Sequence, residues 1–509
     1  MLAKLNSYGL IGITGCPITV EVDLSSGMQR ADTVGLPDNA VKESKERVRS
    51  AIMNSGYAYP EMRVLVNLAP ADIKKEGTVY DLPIALGILA AKGLFPLHAA
   101  DDCIIIGELA LDGRVRSVAG VLPMVINAYE RGFRSVMLPA ENAEEASYFA
   151  DMKVLPVNNL NEAVGHFRGV APIEPRPQLN WSTVQTHYSH DFSEIKGQQH
   201  AKRAAEIAVA GNHNLLMIGS PGSGKTMLAR SIPSILPELT MEESLEITRI
   251  HSVAGELREG GVVRERPFRA PHHSASIPAL VGGGSKALPG EISLAHYGVL
   301  FMDEFPQFPS MVLEALRQPL EDGVVTITRA AAKTTYPAEF MLVAAMNPCP
   351  CGNFGSKTKE CRCTPAQIER YRSRISSPLL DRLDIHIEMT EVNYEDLTSK
   401  AMGESSASIR ERVCAARRIQ AERYKDDGIL FNSQLNTPLM RKYCRMAPEA
   451  EELLHSAYER FKLSARAYTR VIKVARTIAD ISGEQVIGKQ HVLEAVRYRG
   501  LDEKYWGPR

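Results

Sequence analysis

No apolar run in this chain of 509 residues is long enough to cross a bilayer. The longest lies near 82–91, against the roughly 20 residues that a transmembrane helix needs. The start, Met1-Leu2-Ala3-Lys4, lacks the charged, apolar and cleavage regions of a signal peptide. The cytoplasm is therefore the expected compartment, with no membrane partner. An excess of one charge is also missing: 59 Lys and Arg face 60 Asp and Glu, a formal net charge of −1. Any surface for nucleic acid must then be a local patch. Eight cysteines in so long a chain are too few for a disulfide scaffold. No internal repeat and no long low-complexity tract interrupts it. What remains is ordinary globular composition, 44% hydrophobic and 23% charged, with room for about three domains of ~150 residues.

Against this background one segment carries chemistry. Gly219-Ser220-Pro221-Gly222-Ser223-Gly224-Lys225-Thr226 follows the apolar run Leu215-Leu-Met-Ile218 and precedes Met227-Leu-Ala-Arg230. A strand thus feeds a glycine-rich loop that opens a helix. Glycines let backbone N–H groups converge on phosphate oxygens where a Cβ would obstruct them. Lys225 supplies a point charge for the β- and γ-phosphates, and the Thr226 hydroxyl is a ligand for Mg²⁺. The positive end of the helix, from Thr226 and Met227, faces the same phosphates. The expected cofactors are ATP and Mg²⁺.

The order of elements places this loop in an α/β domain. Ala171-Pro-Ile-Glu-Pro-Arg-Pro177 and the polar stretch to His190 read as a linker over 171–190, after an N-terminal domain of 1–170. From 191 to 390, a helix over 198–210 and strands over 214–218, 298–302 and 340–345 alternate, as in a parallel sheet. Beyond 391 strand signals stop. Segments 406–425, 447–461, 465–480 and 489–498 have the periodicity of amphipathic helices, which makes 391–509 a helical lid.

The strand Val299-Leu-Phe-Met302 ends in Asp303 and Glu304. Asp303 suits Mg²⁺ and Glu304 suits the activation of an attacking water; a surface turn is the alternative. Asn347, at the end of strand 340–345, suits a polar group that positions that water, with a turn cap as the alternative. Val324-Val-Thr-Ile-Thr328 beside Asp322-Gly323 has the alternation of a hairpin.

Together these features resemble the AAA+ ATPases, and that resemblance implies a ring of identical subunits with sites shared between neighbours. Arg269-Ala-Pro-His-His-Ser-Ala-Ser276, Val281-Gly-Gly-Gly284, Pro289-Gly-Glu-Ile292 and Leu316-Arg-Gln-Pro-Leu-Glu-Asp-Gly323 are similar to the magnesium-chelatase-like branch. In that branch an inserted loop and a β-hairpin before the sensor strand point into the pore. The segment Arg374-Ile-Ser-Ser-Pro-Leu-Leu-Asp-Arg382 resembles the one bearing an arginine finger. The resemblance assigns that role to Arg382; an intradomain pairing with Asp381 or Asp384 is the alternative. Ser464-Ala-Arg466-Ala-Tyr-Thr-Arg470 opens a helix as a sensor-2 segment does, with Arg466 preferred over Arg470.

Residues 20–170 resemble the proteolytic domain of Lon, an α+β fold, through Val34-Gly-Leu-Pro37, Lys75-Glu-Gly77, Asp81-Leu-Pro-Ile-Ala85 and Gly107-Glu-Leu-Ala-Leu-Asp-Gly-Arg-Val115. The catalytic pair is missing. Tyr80-Asp81-Leu82 stands where that family places its serine, and Ala119-Gly120-Val121-Leu122 where it places its lysine. The domain is expected to be an inactive binding or assembly module.

Cys349-Pro-Cys351 and Cys361-Arg-Cys363 supply four thiols that can close a tetrahedral Zn²⁺ site. Reduced thiols in a loop and a redox-sensitive pair are the alternatives. Lys357, Lys359, Arg362, Arg370, Arg372 and Arg374 form a basic run, either a solvated face or a contact for phosphates. Arg329 and Lys333 are further candidate pore cations. His272 and His273 fit a pore, an interface or a structural role.

The whole order, an inactive Lon-like domain, a linker, a chelatase-like ATPase, a cysteine loop and a helical lid, resembles the ComM/YifB family to about residue 500. The resemblance implies a hexameric ATP-driven motor that moves along single-stranded and branched DNA. Such a helicase would act in branch migration during recombination and natural transformation, alongside recombination proteins. An ATP-dependent remodeller of proteins and a magnesium-chelatase subunit are the rival readings.

Overall fold

The computed structural model describes residues 1–148, 152–179, 188–257, 261–284, 287–328, 333–356, 359–391 and 403–506. Arg329, Lys357 and residues 180–187 of the anticipated linker lie outside the described residues. The chain forms two compact units. The first comprises Met1–Gln185 together with Met241–Val263; the second comprises Thr186–Thr240 and Arg264–Arg509.

The first unit is built on seven strands: β1 (Leu2–Ile11), β2 (Thr14–Ser25), β3 (Arg30–Val34), β4 (Arg63–Ala69), β5 (Cys103–Ile105), β6 (Ser135–Pro139) and β7 (Lys153–Val157). They lie in the order β3-β4-β2-β1-β5-β6-β7. β2 is antiparallel to both β1 and β4, and the remaining pairs are parallel. In β2 the period-two pattern Ile18, Val20, Val22, Leu24 faces the core while intervening residues are partly exposed. The longest apolar run becomes a helix, Asp81–Ala91, buried along its whole length. Among the described residues no helix is long and apolar enough to cross a membrane.

Residues 241–263 belong to this first unit, although they follow the phosphate loop in sequence and fall within the 191–390 expected to form the α/β domain. The helix Met241–Ala254 is fastened by Ser252. Its carbonyl accepts from the Gly120 amide (3.1 Å) and its hydroxyl donates to Glu145 Oε2 (3.0 Å).

The second unit carries a five-stranded, all-parallel sheet made of β8 (Leu215–Gly219), β9 (Phe268–Arg269), β10 (Val299–Met302), β13 (Met341–Met346) and β14 (Ile385–Met389). Their order is β9-β10-β13-β8-β14. Every residue of β8, β10 and β13 is buried, as expected for strands covered on both faces. A separate hairpin pairs β11 (Val324–Thr328) with β12 (Lys333–Pro337) from Val324↔Pro337 to Thr328↔Lys333. Helices Ser406–Tyr424, Pro448–Phe461, Ala465–Ile481 and Lys489–Arg497 form the C-terminal part. They share one hydrophobic core with the sheet, in which Val413, Leu454 and Ile478 join Leu215, Val343 and Ile385.

Candidate functional site

β8 is an interior strand, flanked by β13 and β14, so the loop that leaves it emerges between two neighbouring strands and not at an edge of the sheet. Gly222 and Gly224 have φ of 82° and 91°, values open to glycine and strained for other residues. Gln198 braces the loop from outside, its side-chain amide donating to Ser223 O (3.2 Å) and to Thr390 O just past β14 (2.6 Å). The Lys225 ammonium is buried. It donates to Gly219 O (2.8 Å), Ser220 O (3.0 Å) and Asn347 Oδ1 (3.3 Å). Burial pulls its pKa down and the charges of Asp303 and Glu304 pull it back up. Its bonded acceptors are neutral oxygens, so an anionic phosphate is the group that would complete its surroundings.

A cavity of about 740 Å³ opens beside it. It is lined by residues 221–227, Arg230, His272, His273, Phe301, Asp303, Glu304 and Asn347. Thr226 Oγ1 donates to Asp303 Oδ2 (2.9 Å), which puts a hydroxyl and a carboxylate together as oxygen donors for a hard cation. Asp303 Oδ1 accepts from the Glu304 amide (2.8 Å). Glu304 itself has φ of 50°, a left-handed turn at the strand end. Its carboxylate lies 3.4 Å from His273 Nδ1. Lys225, Thr226, Asp303, Glu304 and Asn347, scattered over 122 residues of sequence between Lys225 and Asn347, thus meet at one cavity. From sequence alone His273 fits a pore, an interface or a structural role. No local signal ties it to Glu304, because the pairing depends on how β9 and β10 lie side by side.

Arg382 and Arg466 line a different cavity, of about 580 Å³, together with Arg470, Lys473, Glu321, Asp381 and Asp384. Arg382 is ion-paired with Glu321 and donates to Pro378 O (2.8 Å). Glu321, on the short helix Arg317–Asp322, takes the place of the Asp381 or Asp384 considered from sequence. Arg470 instead lies 3.4 Å from Asp384. Burial would raise the Asp384 pKa, but Arg470 and His213 hold it well below the usual carboxylate range. Arg466 is largely exposed, 3.5 Å from Asp381.

The four cysteines converge. Their sulfurs all lie within 4.8 Å of one another, a set that can hold a metal ion. In the neighbouring basic run, Lys359, Arg362, Arg370 and Arg374 are exposed, whereas Arg372 is buried. Its guanidinium donates to Pro348 O (3.0 Å) and Tyr505 O (3.1 Å), so Arg372 is part of the interior and not of a solvated face.

In the first unit, Asp81 is buried and bound by Arg47 (2.8 and 3.1 Å) and by the Leu109 amide (3.4 Å). Burial raises its pKa to about 6 against the pull of Arg47.

Three family models match the chain: magnesium chelatase subunit ChlI over residues 191–397, the ChlI subunit of Mg-chelatase over 20–142, and the ChlI C-terminal region over 403–499. The chain is 44% identical to YifB of Escherichia coli K12 over 504 residues, 98% of this chain and 97% of that protein. It is also 44% identical to the competence protein ComM of Haemophilus influenzae, covering 98% of both chains. A magnesium-chelatase 67 kDa subunit of Chlorobaculum parvum is 29% identical over 162 residues, 31% of this chain and 23% of that protein.

Proposed function

The chain belongs to the ComM/YifB family and has a magnesium-chelatase-like AAA+ fold, and from that premise we propose that it is a Mg²⁺-dependent ATPase that drives movement on DNA, as a branch-migration helicase in recombination or natural transformation. The observation that carries the ATPase part is the cavity in which Lys225, Thr226, Asp303, Glu304 and Asn347 meet.

The residues fit a nucleoside triphosphate. The amides of Gly219, Ser220, Pro221-flanking Gly222, Ser223, Gly224 and Met227 would cradle phosphates, and Lys225 would exchange its carbonyl acceptors for phosphate oxygens. Thr226 and Asp303, already side by side, would hold Mg²⁺, which would supply positive charge to offset the negative charge of the phosphates. Glu304 takes the proton of the attacking water on its carboxylate once it leaves His273, and Asn347 orients that water while steadying Lys225 Nζ. Arg382 and Arg466 line a separate cavity of the same chain. We assign them to a neighbouring subunit's nucleotide, with a homo-oligomer, a hexamer, as the active form. A guanidinium stays charged in such a setting and stabilises the transition state across the interface. The hairpin of β11 and β12 is the element assigned to grip DNA.

The name of the ComM relative and its full-length similarity support the DNA role. The chelatase subunit's match to under a third of this chain favours it over metal insertion. The buried, ion-paired Asp81 supports an N-terminal unit that binds and assembles without proteolysis. The test is ATP turnover with and without single-stranded DNA, paired with a three-strand branch-migration assay. DNA that neither binds nor accelerates turnover, with no DNA complex trapped by Glu304→Gln, would refute the motor and leave a protein remodeller.

A further inference from the structure

We propose that Cys349, Cys351, Cys361 and Cys363 hold one zinc ion and that the zinc-closed loop supports the phosphate loop from behind, so that metal occupancy sets the affinity for nucleoside triphosphate. The second half rests on the nucleotide reading above; the first stands on its own.

The sulfur positions are those of a mononuclear thiolate cage. Cys349 Sγ lies 3.4 Å from Cys351 Sγ and 3.7 Å from Cys361 Sγ, and the latter two are 3.7 Å apart. Four thiolates at about 2.3 Å from a tetrahedral Zn²⁺ are separated by about 3.8 Å. A disulfide would bring two of them to about 2.05 Å, and a multi-iron cluster would spread them further. A backbone amide is aimed at one of the sulfurs: Phe354 N donates to Cys349 Sγ (3.3 Å). Amide donors around sulfur stabilise thiolates in the way that second-sphere groups orient metal ligands. Among the described residues no helix or strand lies between Met346 and Pro365. A metal crosslink is then the feature that offsets the entropy of ordering this loop.

The loop meets the phosphate site at two points. At one end is Asn347, two residues before Cys349, accepting from Lys225 Nζ (3.3 Å). In the middle is Gly352, with φ of 80°. A Cβ there would stand 2.6 Å from Pro221 Cδ and 2.8 Å from Pro221 Cγ, so bare backbone of the cysteine loop is pressed against the ring of a phosphate-loop residue. The opposite side is braced by Arg372, which bonds Pro348 O (3.2 and 3.0 Å) and lies over Phe354 (4.7 Å) and Tyr505 (4.6 Å). Held between Arg372 and Pro221, the ion-closed loop limits how far the phosphate loop can open. Without the ion, the support at Gly352 and the tether at Asn347 relax together.

The experiment uses the full chain purified without chelators. Elemental analysis should find about one zinc and no iron per chain; below about half a zinc, or iron in its place, overturns the metal assignment. Binding of a fluorescent ATP analogue with Mg²⁺ is then titrated on the loaded protein, on protein stripped with a thiol-directed mercurial and chelator, and on stripped protein reloaded with zinc. Stripping should weaken binding roughly tenfold or more and reloading should restore it. Equal affinity in all three forms overturns the coupling. Gly352→Ala separates the two halves because it leaves all four thiols in place. It should keep its zinc and still bind the analogue roughly tenfold more weakly; unchanged binding refutes the contact with Pro221. Cys363→Ser should lose both metal and affinity, and its retention of zinc would overturn the four-sulfur site. If loaded wild-type protein binds no nucleotide at all, the ATP reading fails while the zinc measurement stands.

Discussion

Replacing Glu145 with glutamine should remove a pH-dependent weakness from the first unit. Its carboxyl is buried, and its oxygens accept from Asn142 Nδ2 (2.8 Å), Ser252 Oγ (3.0 Å) and the Leu122 amide (3.3 Å), all neutral donors. Burial raises its pKa from the ordinary 4.5 to about 7, with the three hydrogen bonds pulling the other way. A carboxyl that holds its proton more tightly in the folded chain costs stability once it ionises. The cost is absent below the unfolded pKa, grows as pH rises from 4.5, and is complete above about 7. At 1.36 kcal/mol per pH unit this interval amounts to about 3 kcal/mol. Glutamine has the shape of the protonated acid and never ionises. Glu145→Gln should therefore match wild type near pH 4 and exceed it by about 3 kcal/mol near pH 8. A urea series at several pH values, read by hydrogen-exchange mass spectrometry on peptides from 121–148 and 241–257, isolates this unit. Identical pH slopes for the two proteins would refute the reasoning. Because Ser252 shares the network, the helix Met241–Ala254 should show the largest change in protection.

At the proposed nucleotide site, Glu304→Gln should lower phosphate release by about 10²–10⁴-fold while Mg²⁺-dependent nucleotide binding persists; loss of binding would assign Glu304 a different role. Lys225→Ala and Arg382→Ala should each be inactive alone, since arginine fingers contribute about 10³-fold or more. An equimolar mixture should regain turnover if, as proposed, intact Lys225 and intact Arg382 meet across a subunit boundary; no recovery would refute that role for Arg382. Arg47→Ala strips the buried Asp81 of its cation and should destabilise the first unit by about 3–5 kcal/mol near pH 8. Asp81 has a pKa of about 6, so the loss should shrink near pH 5, where thermal melts of the two proteins should converge.

Much of the cavity lined by Lys225, Thr226, Asp303, Glu304 and Asn347 was legible in the letters because its parts are local. The phosphate loop, the acidic strand end at Asp303 and Asn347 each sit at the end of a short apolar run, and β8, β10 and β13 fall within a residue or two of the expected bounds. The hairpin and the helices Pro448–Phe461, Ala465–Ile481 and Lys489–Arg497 likewise carry clear period-two or period-3.6 patterns. β14 escaped notice. Its sequence Ile385-His-Ile-Glu-Met389 is short and interrupted by polar residues, and it is a strand because it pairs with β8. Residues 241–263 escaped for the same kind of reason: their place follows from Gly120 and Glu145, more than a hundred positions away. Arg372 was counted within an exposed basic run, yet carbonyls of Pro348 and Tyr505 draw it inside.

The amino-acid sequence alone determined the chemistry that each short segment can offer. Glycines and a lysine suit phosphate, a strand-end carboxylate pair suits Mg²⁺ and water, and four cysteines suit a metal, because these capacities reside in side chains and local backbone freedom. Tertiary structure decided which segments work together. Thr226 meets Asp303, His273 meets Glu304, Arg382 turns to Glu321 in a second cavity, and Gly352 lies against Pro221. Those pairings depend on strand order and on packing between residues far apart in the chain, and no local pattern encodes them.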